Sequence, residues 1–186
     1  MRLYHLSMNP NLRTLVPRVP DNRAVKLGQE DGVNKRVCFG PSIGKALMAV
    51  PHGEIGDIMY IYIPTSFDKK YVVRPTPDQV PWVSATQEVW YTAPVTVKKV
   101  GVLIKGDAKF FKLLHHPKNP ELVAPTYKFN YKRFNNVPTS KERKEYMKTQ
   151  SEYQEERKER LKGFLMGAFG GLAVFALIGG AIRRLR

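Results

Sequence analysis

Read for the spacing of its apolar positions, the chain changes character twice. Residues 1–138 hold short runs of alternating apolar and polar side chains divided by Pro, Gly, Asn and Asp; residues 139–162 carry charge on every side; residues 163–182 carry none. In the first part "RLYHL" and "RVCF" read as strands, with Pro17, Pro20, Asp21, Asn22, Gly28, Asp31 and Gly32 making the segment between them irregular. "PSIGKALMAV" offers Ser42 as an N-cap and places Ile43, Ala46, Leu47 and Val50 at helical spacing, which predicts a short helix over 43–50. "DIMYIYIP" puts Ile58, Tyr60 and Tyr62 on one face and Met59, Ile61 and Ile63 on the other. Two apolar faces suit a strand in the middle of a sheet. "YVVRP" is a shorter strand, and "QEVWYTAPVTVKKVGVLIK" supplies two more, broken at Ala93 and Pro94. Six or seven strands with one clear helix, and no regular strand–helix alternation, predict a strand-rich α+β domain over 1–138.

After Pro138, Thr139 stands three residues before Glu142, the spacing of a capping box, so a helix is expected to start there. With charge all round and pairs such as Glu156 with Arg160, residues 139–162 read as a solvated helical stalk, about 35 Å long over 140–162. The uncharged run from Gly163 to Ile182 is twenty residues long, and at 1.5 Å per residue that matches a hydrocarbon layer of roughly 30 Å. It predicts one transmembrane helix. Eight Lys or Arg between Lys141 and Lys162 face Arg183, Arg184 and Arg186 of the basic tail 183–186. That bias puts the N-terminal domain on the cytoplasmic side of a single-pass, tail-anchored protein. Gly163, Gly167 and Gly171 form a small-residue ridge on one face of the span, a surface suited to self-association in the membrane.

Charge and composition narrow the chemistry. A formal net charge of +15 biases the surface toward polyanions. One cysteine, Cys38, allows no internal disulfide, and the four histidines show no metal-ligand spacing, so no metal is expected. There is no G-x-G-x-x-G, no P-loop and no nucleophile elbow. Two isolated residues stand out: His5, inside the first strand, and Glu88, which opens a later strand beside Val89, Trp90 and Tyr91. Nine Lys or Arg from Lys98 to Arg133 (among them Lys98, Lys99, Lys105, Lys109, Lys112, Lys128 and Lys132) are interleaved with Phe110, Phe111, Tyr127, Phe129 and Tyr131, with Phe134 just beyond. That mixture suits single-stranded nucleic acid or another anionic partner.

Three separated stretches resemble the sequence regions that mark the ADP-ribosyltransferase superfamily, in its diphtheria-toxin and poly(ADP-ribose) polymerase branch. "YHLS" at 4–7 is similar to the first-strand histidine motif, "RVCFGPSIGKALMA" at 36–49 to the second strand and its helix, and "QEVWYTAPVTVKKVGVLIK" at 87–105 to the strand that carries the glutamate. Small phage and mobile-element members share this look. The resemblance implies a split β-sheet fold that binds NAD. It assigns His5 and Ser7 to the adenosine ribose side, Phe39 and Ser42 to the second motif, and Glu88 to the nicotinamide ribose as the catalytic carboxylate. The expected function is a membrane-tethered transferase of ADP-ribose to a protein or nucleic acid; the alternative is a non-enzymatic membrane-anchored adaptor that uses the basic, aromatic-rich stretch.

Overall fold

The computed structural model describes residues 2–21, 23–26, 28, 30–50, 54–115 and 123–182, with side chains described outside 23–24, 108–128 and 165–182. It divides into two units, Met1–Arg143 and Lys144–Arg186. The first is α+β with two antiparallel sheets. In chain order its elements are β1 (His5–Ser7), β2 (Thr14–Leu15), α1 (Arg23–Lys26), β3 (Val37–Phe39), α2 (Ile43–Met48), β4 (Ile58–Pro64), β5 (Val72–Val73), α3 (Val83–Thr86), β6 (Val89–Tyr91), β7 (Val95–His115) and β8 (Val123–Phe134). A last helix, α4, runs over Ser140–Ile182.

One sheet has the order β1-β4-β7-β2, with β8 also paired to β7; the other has the order β3-β6-β5. The strand expected to be central is central: β4 lies between β1 and β7, and Met59, Ile61 and Tyr62 are buried from its two sides. A pair of backbone bonds between Tyr4 and Gly40, both 2.9 Å, links the residue before β1 to the residue after β3 and so ties the two sheets together.

Two apolar clusters fill the domain. Leu3, Val37, Phe39, Tyr62, Val89, Tyr91, Val95 and Val97 bring residues of both sheets together. Leu6, Ala46, Leu47, Met59, Ile61 and Leu103 join α2 to the other side of β4 and β7. The helix forms where expected: Ser42 is its N-cap and its hydroxyl accepts from the Lys45 amide at 3.2 Å. Gly40 lets it sit close, since a Cβ there would run into the backbone of Ala46.

The break at Ala93 and Pro94 separates β6 from β7 as the sequence suggested. β7 runs past the expected strand end at residue 105 and pairs through eleven positions with β8, a strand that the local pattern did not predict. The capping box forms reciprocally: the Glu142 carboxylate accepts from the Thr139 amide at 2.8 Å, and the Thr139 hydroxyl accepts from the Glu142 amide at 3.2 Å. In the second unit Arg160 and Glu156 pair at 2.5 Å, one helical turn apart. Among the described residues no helix is long and apolar enough to cross a membrane. The expected span, with Gly167 and Gly171, falls on side chains outside the described residues.

Candidate functional site

Glu88 owes its position to a sharp exit from α3. The helix ends with the Gln87 amide donating to the Val83 carbonyl at 2.7 Å and Gln87 itself in the left-handed region at φ 51°. That conformation is uncommon for a side chain larger than asparagine, and non-glycine residues held there cluster at functional sites. The next residue, Glu88, turns into β6 with its amide reaching the Thr86 hydroxyl at 3.4 Å.

The Glu88 side chain is 8% exposed, so the carboxyl opens a strand as expected but is largely withdrawn from water. The Trp90 indole N–H donates to it and the Cys38 thiol bonds it. Burial pushes its pKa up; the bonds from Trp90 and Cys38 work against that, Glu30 adds to it, and the Arg36 guanidinium opposes it. Glu88 lines a cleft of about 420 Å³ with Pro41, Arg74, Pro75, Val83, Gln87 and Val89. Apolar walls with a few converging polar groups make a ligand-sized recess.

His5 lies beside the same strand but on its other side. Its Nδ1 donates to the Cys38 carbonyl at 3.0 Å, and its ring stands edge-on to Phe39 with centroids 6.0 Å apart. Phe39 belongs to the inter-sheet core while the Cys38 thiol meets Glu88, and successive strand residues point to opposite faces. Both side chains therefore reach residue 38, His5 from the Phe39 face and Glu88 from the thiol face. His5 is absent from the lining of the Glu88 cleft. Burial lowers the pKa of His5, the Cys38 carbonyl opposes this, and Arg18 lowers it further, so the ring favours the neutral form.

The remaining candidates have structural partners. The Ser7 hydroxyl accepts from the Asn9 amide at 3.1 Å, Ser42 caps α2, and Phe39 is 2% exposed in the core. The basic stretch does not present one face. Lys99 pairs with Tyr62 and Lys132 with Ile104 on one side of the sheet; Lys98 pairs with Ile63 and Arg133 with Leu103 on the other. Lys99 lies 5.1 Å from the centre of the Tyr60 ring and Lys132 lies 5.3 Å from that of Phe134. Lys105, expected on the surface, is 6% exposed with its ammonium over Phe129, and burial lowers its pKa. The side chains of Lys109, Lys112 and Lys128 fall outside the described residues.

Sequence reasoning passed over Arg36, Cys38, Arg74 and Gln87 as parts of this region, and took Trp90 only as bulk. The available signal was the two-residue spacing of Arg36 with Cys38 and of Glu88 with Trp90, which puts each pair on one face of its strand. Among the described residues no group of three or more His, Cys, Asp or Glu side chains could hold a metal ion. No protein family, curated protein or solved structure matches the chain.

Proposed function

We propose that the chain is a membrane-tethered ADP-ribosyltransferase-like protein whose working carboxylate is Glu88. The observation that carries this reading is the buried Glu88, which lines a cleft directly after a left-handed Gln87. Support also comes from the three stretches that resemble the superfamily, which lie side by side through β1, β3 and β6 and meet at residue 38. In the reaction the bond between nicotinamide and its ribose breaks, nicotinamide leaves with the bonding pair, and a nucleophile of the acceptor takes the ADP-ribosyl group and loses a proton. An ionised Glu88 next to that ribose stabilises the positive charge that develops on the sugar. His5 acts from the far side of β3, holding the Cys38 carbonyl. The uncharged run 163–182 supplies the tether, with the basic stalk beside anionic headgroups.

A second reading, a non-enzymatic membrane adaptor, is favoured by the separation of His5 and Glu88 on the two sides of β3, because the NAD site that the resemblance implies needs both side chains in one cleft. NAD consumption by the full chain in detergent micelles separates the two. The transferase reading expects turnover that falls about 10²–10³-fold in Glu88→Gln, the usual loss when one charge-stabilising group is removed. Absence of NAD binding and turnover in the wild type leaves the adaptor.

A further inference from the structure

The Glu88 carboxyl is one end of a chain of contacts that begins in a loop. Arg36 is 3% exposed, and its Nη1 donates to the Asp31 carbonyl at 2.8 Å and the Asn34 carbonyl at 3.1 Å. The carboxylates of Asp31 and Glu30 stand 3.5 and 3.9 Å from the same guanidinium. The loop is itself braced, with Asp31 Oδ1 accepting from the amides of Val33 at 2.9 Å and Asn34 at 2.7 Å. Held in this way, the guanidinium carbon lies 4.1 Å from the centre of the Trp90 ring. The indole N–H of that ring donates to Glu88.

An aromatic ring is negative on its faces and positive at its edge, so one indole can take a cation on its face and a carboxylate at its N–H. Trp90, 1% exposed, does both. Buried opposite charges otherwise draw together, and a bidentate Arg–carboxylate fork is the strong form of that contact. We infer that Trp90 is the positioning residue of the site, holding the Glu88 carboxyl at the cleft and keeping it out of a direct ion pair with Arg36, which in turn fixes the plane of the ring. The inference rests on Glu88 being the working group of the cleft.

The test is a pH titration by NMR of the full chain in detergent micelles, following the Glu δ-carbons and the two indole N–H signals, Trp82 and Trp90. The groups around the carboxyl are Cys38, Glu30, Arg36 and Trp90, with Arg74 and Gln87 on the cleft wall. In the wild type the Trp90 indole signal is expected to move with the Glu88 midpoint while Trp82 does not. Trp90→Phe keeps a face for Arg36 but loses the donor to the ionised carboxyl, so the Glu88 midpoint rises by about half to one pH unit. Trp90→Leu removes the ring as well, lets the carboxyl approach Arg36, and moves the midpoint below that of Trp90→Phe. A Trp90 indole signal that ignores the Glu88 titration overturns the inference without any variant having to fold. So does a midpoint that Trp90→Phe leaves in place, or one that both variants raise equally. NAD turnover is read separately: unchanged turnover in Glu88→Gln removes Glu88 as the working group, whereas the coupled titration in the wild type reads the contact of Trp90 with Glu88 by itself.

Discussion

Gly40→Ala tests how closely β3 and α2 are packed, and the structure sets both the sign and the size of the effect. A Cβ added at Gly40 lies 2.8 Å from the Ala46 Cα and 3.0 Å from its Cβ, and nearer still to its backbone nitrogen. Contacts under 3.0 Å with backbone cannot be relieved by turning a side chain, so α2 has to recede. It carries Leu47, which is fully buried, and Ala46, both in the cluster with Met59, Ile61 and Leu103. Overpacking of this kind costs about 1–3 kcal/mol. Alanine in place of glycine at a permitted backbone angle returns about 0.4–1 kcal/mol by restricting the unfolded chain. The net expectation is a loss of about 1–2 kcal/mol, or a Tm lower by about 3–8 °C for a unit of this size. Gly44→Ala, four residues on, is the control: nothing lies within 4 Å of its added Cβ, and a better helix former there stabilises by up to about 1 kcal/mol. Both tryptophans, Trp82 and Trp90, sit in the first unit, so fluorescence in a urea titration reads that unit without a signal from α4. Gly40→Ala as stable as wild type, or the two alanines alike in sign, refutes the packing argument.

Three further outcomes can be checked. Because burial raises the Glu88 pKa in the fold, its stability cost is absent below the ordinary glutamate range, grows as pH rises through that range, and levels off above the folded midpoint. Urea unfolding of Glu88→Gln should therefore gain on wild type as pH rises above the ordinary glutamate range; a gap that stays constant with pH argues against a raised midpoint. The Cys38 thiol is pushed up by burial and by Glu88, so alkylation followed by mass spectrometry should be at least about tenfold slower in the folded chain than in urea, and equal rates would contradict its placement. Thr139→Ala removes one half of the capping box at a cost of about 1 kcal/mol, which should speed amide exchange at Glu142 and Arg143 about fivefold; unchanged exchange there rules out the cap as the element holding that helix start.

What was legible in the sequence was local. Alternation through Met59, Tyr60, Ile61 and Tyr62 located a central strand, and Ser42 located the start of α2, because each signal lies within a few residues of the element it forms. The length of β7 and β8 was not legible: "GDAKFFKLLH" has no clear period, and its strand character comes from partners such as Phe129 and Lys128 across the hairpin. Charge misled in the same way. Lys105 read as a surface cation and Arg36 went unremarked, but one is covered beside the Phe129 ring and the other by Trp90 and the carbonyls of Asp31 and Asn34. A cation's burial depends on rings and carbonyls that the fold delivers from elsewhere, and no local pattern records them.

The same point decides how His5 and Glu88 can share a site. The resemblance implied that the two are walls of one pocket, whereas the alternation of β3 sends the Phe39 ring, beside His5, to one face and the Cys38 thiol, beside Glu88, to the other. The His5 Nδ1–H is spent on the Cys38 carbonyl, and burial with Arg18 nearby disfavours a second proton. Its remaining nitrogen can then only accept, so a sugar hydroxyl gains no donor from it. On the proposed reading, recognition in the cleft falls to groups that line it: Glu88 would accept from hydroxyls, and Gln87 would both donate and accept. On that reading an NAD-like ligand would be held there from the glutamate outward, with His5 reaching the site only through its bond to the Cys38 carbonyl of β3.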